Sequence, residues 1–318
     1  MIALFQLLLL LLGFALLIGG ANVFVNGSVA IAHKLRIPTV IVGLTIVAFG
    51  TSAPETVITV TASLRGANGL AIGNIVGSNI FNLIFIIGLC ALIRPMPVKL
   101  REVSKDFWLS IFGAAMLLAL LLIGGAAVPR VGSLAMLLVF AVYLVLVIRR
   151  GIREAASSEE VPKAQKPFIV YILLALAGGA LIIFGGHVTV ASATEIALFF
   201  GVSERIIGLT IVAIGTSAPE LVISIVACKK GENEFALGNI IGSNIFNILF
   251  VLGLAGTITP LEIVDGLVFD ATFLLVSSTL ALLFVYTRRR LARPEGAFMV
   301  LLYVGYIVYT LGGFDLWN

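Results

Sequence analysis

The sequence predicts an all-α polytopic membrane protein, with ten transmembrane helices arranged as two inverted five-helix repeats. Three observations lead there: apolar runs of about 20 residues, a lopsided distribution of Lys and Arg among the intervening loops, and a near-identical internal duplication. Of 318 residues, 60% are apolar and only 11% charged, and the mean hydropathy is +1.18. Such a composition excludes an ordinary water-soluble domain. Runs of this length cross a ~30 Å hydrocarbon core as helix, and the ten-residue alternation of an outer-membrane barrel is missing.

Read in order, the apolar runs place helices over residues 3–25, 38–64, 71–93, 107–127, 130–148, 168–190, 204–228, 236–258, 267–287 and 296–313. The first run lacks a positively charged start and is longer than a signal-peptide core, so it reads as a retained helix. The most polar stretch carries Ser157, Ser158, Glu159, Glu160 and Pro162 and is too short for a domain. The expected division is therefore a first repeat over 1–148, a cytoplasmic linker over 149–167 and a second repeat over 168–318.

Loop charge tests that order. Alternate loops on one side hold 17 of the 20 Lys and Arg residues, and the other side holds only Arg65, Arg130 and Arg205. Basic loops stay in the cytoplasm, which places both termini outside. The net charge of +4 is thus a topology signal, and no nucleic-acid partner is expected. Cys90 and Cys228 show neither CxxC spacing nor a neighbouring His in sequence, and support neither a disulfide framework nor a zinc site. His33 and His187 read as interfacial residues near helix ends.

Residues 43–58, GLTIVAFGTSAPETVI, recur at 208–223 as GLTIVAIGTSAPELVI, and residues 73–82, GNIVGSNIFN, recur at 238–247 as GNIIGSNIFN. A single offset of 165 relates both pairs without a gap. Five helices per copy is an odd number, so the second copy enters the membrane from the opposite face. Inverted repeats of this kind place a substrate site near the bilayer midplane.

Glu55 and Glu220 lie mid-helix in this scheme. A carboxylate there costs at least ~2.5 kcal/mol on insertion scales and requires a partner, a cavity or an ion. Pro54 and Pro219 disturb the carbonyls of Gly50 and Gly215 four residues back. Irregular backbone at membrane depth is tolerated only where it lines a cavity or is buried in protein. Carboxylates beside carbonyls and hydroxyls form a hard-oxygen set suited to Ca2+ or Na+. Asn82 and Asn247 close the second motif and add neutral oxygens, while Ser78, Asn79, Ser243 and Asn244 add polar atoms to apolar helices. The pairs Gly73/Gly77 and Gly238/Gly242 read as close-packing GxxxG motifs. No catalytic Ser/His pair, aspartate pair or HExxH helix is present, so no enzyme is expected.

With GTSAPE followed by GNxxGSNxFN in both halves, the chain resembles the sodium/calcium exchanger family of the cation/calcium antiporter superfamily. The resemblance implies Ca2+ ligands from the Glu55 and Glu220 carboxylates and the Thr51 and Thr216 carbonyls. It implies sodium sites that add Ala48, Ser52, Ser78, Ala213, Ser217 and Ser243, with Asn82 and Asn247 bordering the centre. It further implies that the first and sixth helices slide across a core formed by the two motif-bearing regions. Some relatives, potassium-dependent exchangers among them, carry aspartate where Asn247 stands. With two carboxylates, the expectation is electrogenic, K+-independent exchange of about three Na+ per Ca2+, since two negative charges balance one Ca2+ and leave three Na+ in excess. The alternatives are a proton/calcium antiporter of the same superfamily and, more distantly, a cation channel. Transported Ca2+ and Na+ and the lipid bilayer are the expected partners, without cofactor or obligate protein partner. The compact chain points to a prokaryotic cell membrane.

Overall fold

The computed structural model describes residues 2–157, 166–199, 213–263 and 266–312, and the described architecture is helical apart from four two-residue strands. Helix α1 (Ile2–Leu35) ends where Arg36 adopts a left-handed backbone (φ 57°). After Pro38, α2 (Thr39–Thr51) leads to α3 (Ala53–Leu64) across a 47° bend. Helices α4 (Gly69–Ile93), α5 (Leu100–Ile123) and α6 (Arg130–Ser157) complete the first half. The second half contains α7 (Phe168–Phe199), α8 (Ala213–Thr216), α9 (Ala218–Lys230), α10 (Asn233–Ile258), α11 (Leu267–Arg288) and α12 (Arg293–Gly312).

Among the described residues, seven helices are long and apolar enough to cross a membrane, and the bent α2–α3 pair makes an eighth candidate. The helix expected over 204–228 starts in residues 204–212, which lie outside the described residues, as does Arg205. The helix expected over 296–313 is α12, whose first turn carries Glu295.

Several expected boundaries need correction. Helices predicted to stop at residues 25, 148 and 190 run on to Leu35, Ser157 and Phe199. Polar residues such as Asn26, Arg150 and Glu195 ended the apolar pattern, but a polar side chain does not remove a backbone hydrogen bond as proline does. The first part of the expected linker is therefore helical, and residues 158–165 of it lie outside the described residues. His187, similarly, is well inside α7 and not near its end.

The two halves interlock. Antiparallel two-residue strands join the loop after α4 to the loop after α11 (β1, Met96–Pro97, with β4, Arg290–Leu291) and the loop after α5 to the loop after α10 (β2, Ala127–Val128, with β3, Leu261–Glu262). Each pairing takes one strand from each half. Helix endings repeat as well. At Gly66 (φ 74°) the amides of Gly66 and Ala67 bond the carbonyls of Ser63 and Ala62, and at Gly231 (φ 84°) those of Gly231 and Glu232 bond Cys228 and Ala227. Both are the left-handed cap that glycine accommodates without a Cβ penalty.

Helices α4 and α10 hold the centre; the hydrophobic window of α10 is 94% buried, against 28% for α7. Glycines allow α10 to lie directly on α2. A Cβ on Gly242 would stand 2.7 Å from the Leu44 Cα, and one on Gly43 would stand 2.8 Å from the Asn239 amide. The Gly238/Gly242 pair therefore serves close packing, as expected. Outside this core α1 lies against α7 along a glycine seam, where a Cβ on Gly20 would be 2.9 Å from the Gly178 carbonyl and one on Gly185 would be 2.8 Å from the Leu17 amide.

Candidate cation centre

The two GTSAPE motifs interrupt their helices as the prolines require. Ser52 (φ −86°, ψ 10°) and Ser217 (φ −90°, ψ 9°) occupy the breaks, and Pro54 and Pro219 fall in the first turn that follows. Proline is tolerated there because the first amides of a helix have no intrahelical acceptor. Glu55 and Glu220 come one residue later, still in the first turn, where the helix dipole favours negative charge. Both side chains are fully buried.

Each carboxylate is held by the opposite half. The Ser52 hydroxyl donates to Glu220 Oε1 at 3.2 Å, and the Ser217 hydroxyl donates to Glu55 Oε1 at 3.1 Å. Ser243 donates to the same Glu220 oxygen at 3.5 Å. Thr51 shares hydrogen bonds of 3.3 Å with Asn239 Oδ1 and Ser243 Oγ.

Beside the carboxylates lies a ring of four asparagines. The Asn79 and Asn244 side-chain amides donate to each other's backbone carbonyls, both at 3.1 Å. Asn82 then donates to Asn244 Oδ1 at 3.3 Å, and Asn247 donates to Asn79 Oδ1 at 3.1 Å. The ring thus occupies the nitrogen of Asn82 and of Asn247. Helices α4 and α10 pass locally into π-helix at this level, over Phe81–Ile86 and Phe246–Leu252, a distortion common at functional sites.

Among the described residues, four buried oxygens of this centre are left without a hydrogen-bond partner: Glu55 Oε2, Glu220 Oε2, Asn82 Oδ1 and Asn247 Oδ1. They form two pairs related by the 165-residue offset. Among the described residues, no Lys, Arg or His is ion-paired to either glutamate. A buried carboxylate lacking a countercharge is strongly unfavourable, and acceptors this well enclosed require something to accept from. Carboxylate, amide and hydroxyl oxygens match a hard cation such as Ca2+ or Na+. Among the described residues, no group of three or more His, Cys, Asp or Glu gathers to favour a softer metal.

The other predicted residues fall close by. Ala48 and Ser78 are buried on α2 and α4, Thr216 is buried on α8, and Ala213 begins α8. Sequence reasoning missed the outer supports, in which Asn74 donates to Thr59 at 3.1 Å and Asn239 donates to Ser224 at 3.0 Å. The signal was available, because Asn74 and Asn239 are the second letters of the duplicated GN motif and both pairs obey the same offset.

Comparison with known proteins identifies the family. The family described as "Sodium/calcium exchanger protein" matches residues 5–149 and 170–312. Inner membrane protein YrbG of Escherichia coli is 36% identical over 315 residues, covering 95% of this chain and 94% of its own. Sodium/calcium exchanger MaX1 of Methanosarcina acetivorans is 31% identical, with 95% and 97% covered. A solved structure of the sodium-calcium exchanger NCX_Mj, soaked with 2.5 mM Na+ and 10 mM Sr2+, superposes with a TM-score of 0.83 at 30% identity, covering 96% of this chain and 99% of that one.

Proposed function

The chain belongs to the sodium/calcium exchanger family, and we propose that it is an antiporter exchanging Na+ for Ca2+ by alternating access, electrogenically and without K+. The carrying observation is the set of four unpartnered buried oxygens on Glu55, Glu220, Asn82 and Asn247. Two carboxylates balance one Ca2+, while about three Na+ at shared oxygens leave one positive charge in excess. Thr51, Ser52, Ser78, Thr216, Ser217 and Ser243, with Ala48 and Ala213, belong to the same ion-binding region in this reading. Ten helices cross the membrane as two inverted five-helix repeats, with the basic loops in the cytoplasm of a prokaryotic cell and both termini outside.

Coupling follows from desolvation. An empty pair of buried carboxylates is too costly to pass through a closed, apolar intermediate, so only ion-loaded states alternate. The glycine seam lets α1 and α7 move as a pair against the core, because it keeps their backbones in contact with few interlocking side chains.

The test is calcium accumulation by proteoliposomes. An outward sodium gradient is expected to drive uptake that K+ leaves unchanged and that a membrane potential modulates. Uptake driven equally by a pH gradient without Na+ would move the assignment to proton/calcium antiport, and passive conductance without countertransport would move it to a channel.

A further inference from the structure

The two cysteines are 138 residues apart in sequence, on α4 and α9, and the fold brings them together. Both are free thiols and fully buried. The Cys228 thiol points at the Cys90 carbonyl at 3.4 Å and lies 3.9 Å from the Arg94 carbonyl. The contact places the Cys228 sulfur directly against Cys90. Arg94 links the same two helix ends, donating to the Lys229 carbonyl at 3.3 Å.

The 165-residue offset shows what is special here. The counterparts of Cys228 and Cys90 are Ser63 and Ala255, and there the Ser63 hydroxyl points at the Ala255 carbonyl at 3.4 Å. One scaffold contact is therefore built twice, once with a serine and an alanine and once with two thiols. The carbonyl contact asks only for a short side chain ending in a donor, so it does not account for the second sulfur.

We propose that Cys90 and Cys228 are an oxidisable thiol pair that closes into a disulfide, stapling the first half of the chain to the second. Closure breaks two S–H bonds and makes one S–S bond. The two electrons and two protons pass to a two-electron oxidant: a hydroperoxide, reduced to water and an alcohol, or a diazene such as diamide, reduced to the hydrazine. The thiolate is the form that begins the reaction. Each sulfur is eight residues, about 12 Å of helix rise, from Asn82 or Glu220 on its own helix. The staple therefore restrains the spacing of two helices that line the cation centre.

The experiment is diamide treatment of the folded, purified chain, followed by unfolding in SDS and counting of free thiols. Two thiols are expected to fall to none, with a loss of about 2 Da, an unchanged monomer band without reductant, and full recovery in dithiothreitol. The bridged protein is expected to melt several degrees higher, because the bridge closes a long loop. Cys228→Ser keeps a donor for the Cys90 carbonyl, as Ser63 does at the related position, and should fold normally while abolishing both effects. Two thiols surviving in the folded protein, under conditions that oxidise the SDS-unfolded chain, would overturn the proposal. Bridges formed only between two chains, or an unchanged melting temperature, would do the same. None of these readouts requires ion flux, so the result is independent of the exchange assignment.

Discussion

Ser52 reaches across the molecule to Glu220, hydroxyl to carboxylate at 3.2 Å, although Glu55 is only three residues away in its own chain segment. Ser217 does the same for Glu55 at 3.1 Å. Each half thus holds the charge of the other, and neither half alone assembles the centre.

Replacing either acid should end transport. Glu55→Gln and Glu220→Gln each remove one of the two negative charges while keeping the shape, and a single carboxylate cannot balance a divalent cation in a dry site. Sodium-driven calcium uptake is expected to drop at least ~100-fold, in line with the several kcal/mol that a buried charge pair involves. Melting should be unchanged or higher, since an unpaired buried charge has been removed. Undiminished uptake in either folded mutant would take that residue out of the site.

Reciprocity makes a second prediction. Ser52→Ala should weaken calcium binding through Glu220, and Ser217→Ala should weaken it through Glu55. A hydrogen bond to a charged group contributes about 1.5–3 kcal/mol, so each change is expected to raise the half-saturating calcium concentration roughly 10-fold or more. If the serines acted only through their own helices, adding Glu220→Gln would leave the effect of Ser52→Ala intact. In a double-mutant cycle read by calcium binding, the two changes should instead prove strongly non-additive.

The asparagine ring yields a third. Asn79→Ala removes the acceptor for the Asn247 amide and the donor for the Asn244 carbonyl. Each stranded buried group costs about 1–3 kcal/mol. A lower melting temperature is expected, together with weaker calcium binding, because nothing then holds Asn247 with its free oxygen toward the centre. Thermal unfolding and calcium titration on one preparation check both halves of the statement.

Motion can be separated from binding at the glycine seam. In Gly20→Ala the new methyl would stand 2.8 Å from the Leu181 Cβ and 2.9 Å from the Gly178 carbonyl, so α1 and α7 must move apart. Calcium binding at equilibrium should stay within about 2-fold of the parent, since Gly20 faces Gly178 and Leu181 of α7. The uptake rate should fall about 10-fold or more, as a poorer interface raises the barrier to moving the pair together. Equal losses in binding and rate would mean that the seam supports the centre directly.

A fourth contact tests stability alone. Asp106 is 2% exposed and accepts from both terminal nitrogens of Arg150 at 3.1 Å, joining α5 to α6. Arg150→Gln should destabilise the protein by about 3–5 kcal/mol, because it strands a buried carboxylate, whereas the Asp106→Asn/Arg150→Gln double variant should recover part of the loss. Thermal unfolding of the three proteins measures both effects.

The chain pattern by itself determined the bilayer as solvent, the helical class, the duplication and the two glutamates, because these rest on properties carried over one or two helical turns: run length, proline position and a misplaced charge. The same local signals misjudged helix ends. The apolar pattern stops where Asn26, Arg150 and Glu195 occur, but hydrogen bonding along the backbone continues through them to Leu35, Ser157 and Phe199. Only the tertiary structure decided that Ser52 serves Glu220, that Asn79 orients Asn247, that strands from opposite halves pair, and that Cys228 meets Cys90. Those contacts span 133 to 195 residues, far beyond any periodicity, and they exist because burying the two motifs together satisfies polar groups that neither copy can satisfy alone.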